Sequence, residues 1–186
     1  FSKVYNQYIS LQFLLCTVCF LASELAYLIF FPADYSDSWR LSYFFFWGAI
    51  FNNLSAFLSV GYTGTYNTSG AFYTSIAGAV VSAVSTWLML PVIGVWAAPV
   101  GFFLGLFCMW LVRSIHTRKY FHIRIDWKSI GPGLFAFAFA GLYLLIHSIA
   151  AKIGISITAM GIVVWNNAPI LNKALTKLHH RIYKHD

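Results

Sequence analysis

Charge is what this sequence has least of: five Asp and Glu and 12 Lys and Arg in 186 residues, a charged fraction of 9%. A soluble domain carries about 25% charge, so too little polar surface is present here to cover a globule in water. Three cysteines exclude a disulfide scaffold, and five prolines without a glycine repeat exclude collagen. The apolar content excludes disorder. Cys16-Thr17-Val18-Cys19 has redox spacing, but it lies in an apolar run with no βαβ context, where Cys behaves as a small hydrophobe.

Catalytic and ligating constellations are scarce too. There is no clustered acidic pair for metal-bound phosphate and no Ser-His-Asp set, so the chain is not expected to be an enzyme. His116, His122, His179 and His180 have no carboxylate or Cys ligands nearby in sequence, so no metal site is expected, and no cofactor. His147 reads as a buried donor near a helix end rather than a proton relay. Gly61, Gly64 and Gly70 follow no strand, so no nucleotide fingerprint is present. Nucleic acid is not an expected partner. Asn53-Leu54-Ser55 and Asn67-Thr68-Ser69 match the glycosylation pattern, but the first falls in a span and the second on the cytoplasmic side, so neither is expected to be used.

What is present is apolar: 60% of the residues, 19% aromatic, with a mean hydropathy of +0.72. Apolar runs cover Ile9 to Phe31, Leu41 to Val60, Ala71 to Leu90, Val95 to Val112, Gly133 to Ala150 and Ile153 to Leu171. Each is long enough to cross a bilayer, which takes about 20 residues. Barrel strands are about 10 residues of alternating polarity, so these runs predict an all-α polytopic membrane bundle of six transmembrane helices. The breaks fall at Pro32 to Asp37, Gly61 to Gly70, Pro91 to Gly94, the basic stretch Arg113 to Gly131, and Ala151-Lys152. Residues 1–171 read as the bundle and 172–186 as a basic tail. The chain begins Phe1-Ser2-Lys3 with no initiator Met or signal-like segment, and it reads as a piece of a longer protein.

If the six spans alternate, Lys3, Arg113, Arg118, Lys119, Arg124, Lys128, Lys173, Lys177, Arg181 and Lys184 fall on the side of the amino terminus, and only Arg40 and Lys152 on the other. Positive charge marks the cytoplasmic side, so both ends are predicted cytoplasmic. Trp39, Trp110, Trp127 and Tyr120 near the boundaries fit interfacial aromatics. In the tail, Leu171, Leu175, Leu178 and Ile182 recur at helical spacing opposite Lys173, Lys177 and Arg181. That pattern reads either as an amphipathic helix on anionic lipid or as an ordinary positive-inside stop signal.

Inside the spans, Glu24 is the only formal charge well away from a boundary. It reads either as a cavity or proton-coupling carboxylate or as a group hydrated near Asp34, Asp37 and Arg40. The pairs Asn52-Asn53 and Asn166-Asn167 either bind sugar hydroxyls in a wet cavity or hydrogen-bond between helices. The candidate cavity residues are therefore Glu24, Asn52, Asn53 and Asn166. Gly78, Ala97, Gly101 and Gly105 belong to small-residue stripes that let helix backbones approach closely.

The stretch Gly61-Tyr62-Thr63-Gly64, Ile76-Ala77-Gly78-Ala79-Val80-Val81, Leu88-Met89-Leu90-Pro91-Val92-Ile93-Gly94-Val95-Trp96-Ala97-Ala98 and Arg118-Lys119-Tyr120-Phe121 resembles the second half of polysaccharide flippases. These are the O-antigen and teichoic-acid exporters of the multidrug/oligosaccharidyl-lipid/polysaccharide superfamily. Phe1-Ser2-Lys3-Val4-Tyr5 and Glu24-Leu25-Ala26-Tyr27-Leu28-Ile29-Phe30-Phe31 are similar to the family's flanks of one carboxyl-half helix. The hydropathy layout matches over the whole chain, and the specific likeness is confined to about Gly61 to Lys128. Pro99 interrupts a run of small residues usual in the family, and the region Ser82 to Ser85 stands where an Asn is usual.

The resemblance implies a transporter that moves undecaprenyl-diphosphate-linked oligosaccharide to the outer leaflet of the bacterial inner membrane by alternating access. Its implied partners are that lipid-linked oligosaccharide, membrane lipids, an amino-terminal bundle of the same chain and a glycan polymerase. Arg113, Arg118, Lys119 and Arg124 would then meet the headgroup phosphate, although topology alone accounts for basic residues there. A cation-coupled multidrug exporter of the same superfamily, which would use Glu24, and a non-transport scaffold for glycan assembly are the other readings.

Overall fold

The computed structural model describes residues 2–32, 35, 38–64, 68–119, 126–146 and 148–182, and among them every regular element is helical. In chain order these are α1 (Ser2–Phe30), α2 (Trp39–Gly64), α3 (Thr68–Ile93), α4 (Ala97–His116), α5 (Trp127–Ala140) and α6 (Ile149–Ile182). The protein is thus all-α. Four helical stretches are long and apolar enough to cross a membrane: Ser2–Tyr27, Trp39–Tyr62, Ser69–His116 and Ala150–Ile170. A shorter apolar stretch, Ile130–Leu144, makes a fifth. Large apolar side chains such as Val80, Trp87, Leu88, Ile157 and Trp165 face outward. Exposed apolar surface on long apolar helices fits a multi-pass membrane protein, whose solvent is lipid.

Several helices run further than hydropathy suggests. The break predicted at Gly61 to Gly70 contracts, because α2 continues through Gly64 and α3 starts at Thr68. An apolar setting favours backbone groups bonded within a helix over a loop of the same residues. Pro91 is absorbed into α3, and the reversal comes at Gly94, whose φ of 55° a side chain would strain. A 3₁₀ turn, Gly94–Trp96, then leads into α4. The break expected at Ala151-Lys152 lies earlier, after the 3₁₀ turn Gly141–Leu144, so Lys152 is inside α6. Its ammonium sits 4.9 Å from the centre of the Tyr143 ring, an attraction that favours this placement. Finally, α6 continues past Leu171 to Ile182 without a break.

The chain divides into two compact units. The first joins the opening part of α1, Lys3–Leu21, to Ile125–Asp186. Phe13 packs on Phe137 and on Gly133, where a Cβ would come within 3.0 Å of the Phe13 Cβ. Further along, Phe20 meets Phe137 and Tyr143. Contacts advance in the same direction on both helices, so α1 and α5 are parallel. Asp126 caps α5, its side chain accepting from the Lys128 N–H, while its own N–H donates to Asn6 Oδ1 at 3.4 Å.

The second unit, Ala22–Arg124, holds α2, α3 and α4. Small residues let α3 and α4 touch backbone to backbone: a Cβ on Gly105 would lie 2.5 Å from the Ser82 Cβ and 2.6 Å from the Gly78 carbonyl, and one on Gly101 would strike Thr86. As the contacts climb α3 they descend α4, so the pair is antiparallel. Across α2 and α4 the contacts rise together, from Phe45 with Phe102, through Phe51 with Phe107, to Tyr62 with His116. Those two helices are parallel.

Candidate functional site

The last turn of α4 carries a cation that does not face solvent. Arg113 is 7% exposed, and its guanidinium reaches both neighbouring helices. Nε donates to Thr74 Oγ1 at 3.0 Å and Nη2 to Ser75 Oγ at 2.8 Å and the Ala71 carbonyl at 3.4 Å, all on α3. Nη1 donates to the Ser55 carbonyl of α2 at 3.1 Å. Every acceptor is neutral, and among the described residues no carboxylate pairs with Arg113. A buried charge without a counter-ion costs several kcal/mol, offset here by four charge-assisted hydrogen bonds and by a helix C-terminus, which favours positive charge. The Ser55 hydroxyl, fully buried beside this junction, has no hydrogen-bond partner among the described residues.

One turn further along α4, His116 Nδ1 and the Tyr62 hydroxyl of α2 are 2.8 Å apart. Gly70 of α3 closes against both rings. A Cβ there would lie 2.7 Å from Tyr62 Cε1 and 3.2 Å from His116 Cε1. Three helices therefore meet at this end in two polar layers, one centred on Arg113 and one on Tyr62 and His116. Beside them, between α3 and α4, runs a groove of about 440 Å³ lined by Gly70, Tyr73, Thr74, Val112, Ile115 and His116. Arg113 reaches the groove wall through Thr74. A guanidinium stays charged at any physiological pH, so Arg113 is a fixed positive charge at this end.

The residues singled out by sequence fall on several elements. Arg118 is exposed in the 3₁₀ turn Thr117–Lys119, whereas Arg113, grouped with it by sequence, turns inward. Lys119 closes that turn, and Arg124 lies outside the described residues. Glu24 is half-buried on α1; on α2, Asn52 is exposed and Asn53 half-buried. Asn166 donates from Nδ2 to Ser10 Oγ at 2.9 Å. Its neighbour Asn167, fully buried, accepts from Ser10 Oγ at 2.9 Å and donates to the Ser10 carbonyl at 3.3 Å, so both amides tie α6 to α1. Gly78, Gly101 and Gly105 lie in the α3–α4 contact, and Ala97 is fully buried at the start of α4. His122, His147 and the tail side chains Lys173, Lys177 and Arg181 lie outside the described residues.

Hydropathy alone did not single out Thr74, Ser75, Tyr62 or His116 as a group. The available signal was an Arg closing an apolar run with two hydroxyl residues opening another. Comparison with protein-family models, with curated proteins and with solved structures finds no match to this chain.

Proposed function

We propose that this chain is the carboxyl-terminal membrane portion of a transporter that flips a diphosphate-linked, lipid-anchored oligosaccharide across a bacterial inner membrane, with six crossings and both ends of the portion cytoplasmic. Helix directions support the alternation: α2 and α4 run together, α3 runs against α4, and α1 runs with α5. With that topology Arg113, Tyr62 and His116 share the cytoplasmic end with Arg118 and Lys119, the side that takes ten of the 12 basic residues.

The observation that carries the reading is the exposed Arg118 next to Lys119 at that end, five residues beyond Arg113, which has no carboxylate partner among the described residues. Such a cluster favours a multiply charged phosphate headgroup arriving from the cytoplasm. A path of this kind is required because sugar hydroxyls and a diphosphate cannot enter hydrocarbon unaided. Substituting Arg118→Glu together with Lys119→Glu in the full-length protein should lower polysaccharide export while membrane insertion stays intact. Undiminished export by the doubly reversed protein would remove the headgroup role.

A further inference from the structure

We propose that the groove between α3 and α4 holds one resident anionic phospholipid, one of its acyl chains against Tyr73, Val112 and Ile115 and its phosphate at the end marked by Thr74 and His116. The bound lipid is distinct from the transported cargo, whose headgroup is assigned to Arg118 and Lys119, and the site requires only that α3 and α4 lie in a bilayer. Three observations converge on it.

Its volume of about 440 Å³ is within the range of small-molecule sites. The walls are apolar side chains on the outer surface of a stretch long and apolar enough to span a membrane, where the surrounding medium is lipid chains. Tyr73 and Ile115 are 68% and 66% exposed, so the protein itself does not fill the space beside them.

The charge supplies the headgroup preference. Arg113 has no counter-ion among the described residues, and its Nε bonds to the hydroxyl of Thr74, a residue of the groove lining. In a low-dielectric setting its field extends into the groove, where a phosphate monoanion neutralises a charge the protein leaves uncompensated. A zwitterionic headgroup brings its own ammonium and gains less. Gly70 is part of the groove lining, and its missing side chain lets the Tyr62 and His116 rings close against it. An acyl chain anchored by its headgroup would therefore seat against α3 and α4 at the junction that also holds α2.

The test is native mass spectrometry of the full-length protein taken from nanodiscs containing equal phosphatidylglycerol and phosphatidylethanolamine. One phosphatidylglycerol should remain bound per chain, preferred by roughly fivefold, which corresponds to about 1 kcal/mol for one basic group near anionic lipid. Val112→Trp and Ile115→Trp, which fill the groove without touching the Arg113 bonds, should each abolish retention while the melting temperature without added lipid stays near that of the parent. Arg113→Lys should keep the lipid bound and weaken the preference. Equal retention of the two lipids, or retention unchanged by both tryptophans, would overturn the proposal. So would a photoreactive residue at position 115 that crosslinks to protein instead of phospholipid.

Discussion

Arg113 Nε and Thr74 Oγ1 stand 3.0 Å apart across the α3–α4 contact, joining a buried cation to a neutral hydroxyl instead of to an acid. The Thr74 hydroxyl in turn donates to the Ala71 carbonyl at 2.9 Å, so one side chain relays between two helices. Thr74→Val keeps the shape and removes the acceptor, leaving a charged N–H unsatisfied. The expected cost is about 1.5 to 3 kcal/mol, read as a lower melting temperature in detergent. Ser55→Ala should change stability by less than about 0.5 kcal/mol, because Arg113 uses the Ser55 carbonyl and the hydroxyl makes no bond among the described residues.

Glycines divide sharply by what surrounds them. A methyl on Gly105 would meet the Ser82 side chain and the Gly78 carbonyl, and backbone cannot yield as a side chain can. Gly105→Ala should therefore separate α3 from α4 and destabilise by about 1 to 3 kcal/mol. Gly161, inside α6, has open space where a Cβ would go. Gly161→Ala should stabilise by about 0.5 to 1 kcal/mol through helix propensity. Thermal melts of the two variants side by side check both signs.

Asn167 and Ser10 exchange two hydrogen bonds between α6 and α1. Asn167→Ala and Ser10→Ala should be non-additive in a double-mutant cycle, with a coupling of about 0.6 to 2 kcal/mol. Additive losses would mean that the pair does not interact in the membrane.

Orientation can be read chemically. Val92, 81% exposed near the α3–α4 reversal, should be reached from the periplasm, and Arg118 from the cytoplasm. In a full-length protein freed of its native cysteines, Val92→Cys should react with a membrane-impermeant maleimide on intact spheroplasts. Arg118→Cys should react only after permeabilisation. The reverse pattern would invert the topology.

The helical class was legible in the sequence because hydropathy is a sum over about 20 residues, and local errors average out. Boundaries were less so. Pro91 and the Gly61 to Gly64 stretch carry breaker composition, yet both end up inside helices, since an apolar setting rewards the intrahelical bond more than composition penalises it. Lys152 reads as a loop residue, but its position over Tyr143 depends on tertiary contact and leaves no trace in one dimension. The small-residue stripe through Gly101 and Gly105 was visible as spacing. Its partners, Ser82 and Thr86, could be named only once the direction of the α3–α4 pair was known. Arg113 shows the limit most clearly: charge counting places it with the interfacial basic residues, and only the positions of Thr74, Ser75 and Ser55 turn it inward.

Transport itself is tested most directly by reconstituting the full-length protein in liposomes with a fluorescent lipid-linked oligosaccharide on one leaflet and following its exposure on the other. Translocation that is lowered by Arg118→Glu together with Lys119→Glu is the expected result. Liposomes in which the sugar stays on its original leaflet, with correctly inserted and folded protein, would contradict the flippase assignment.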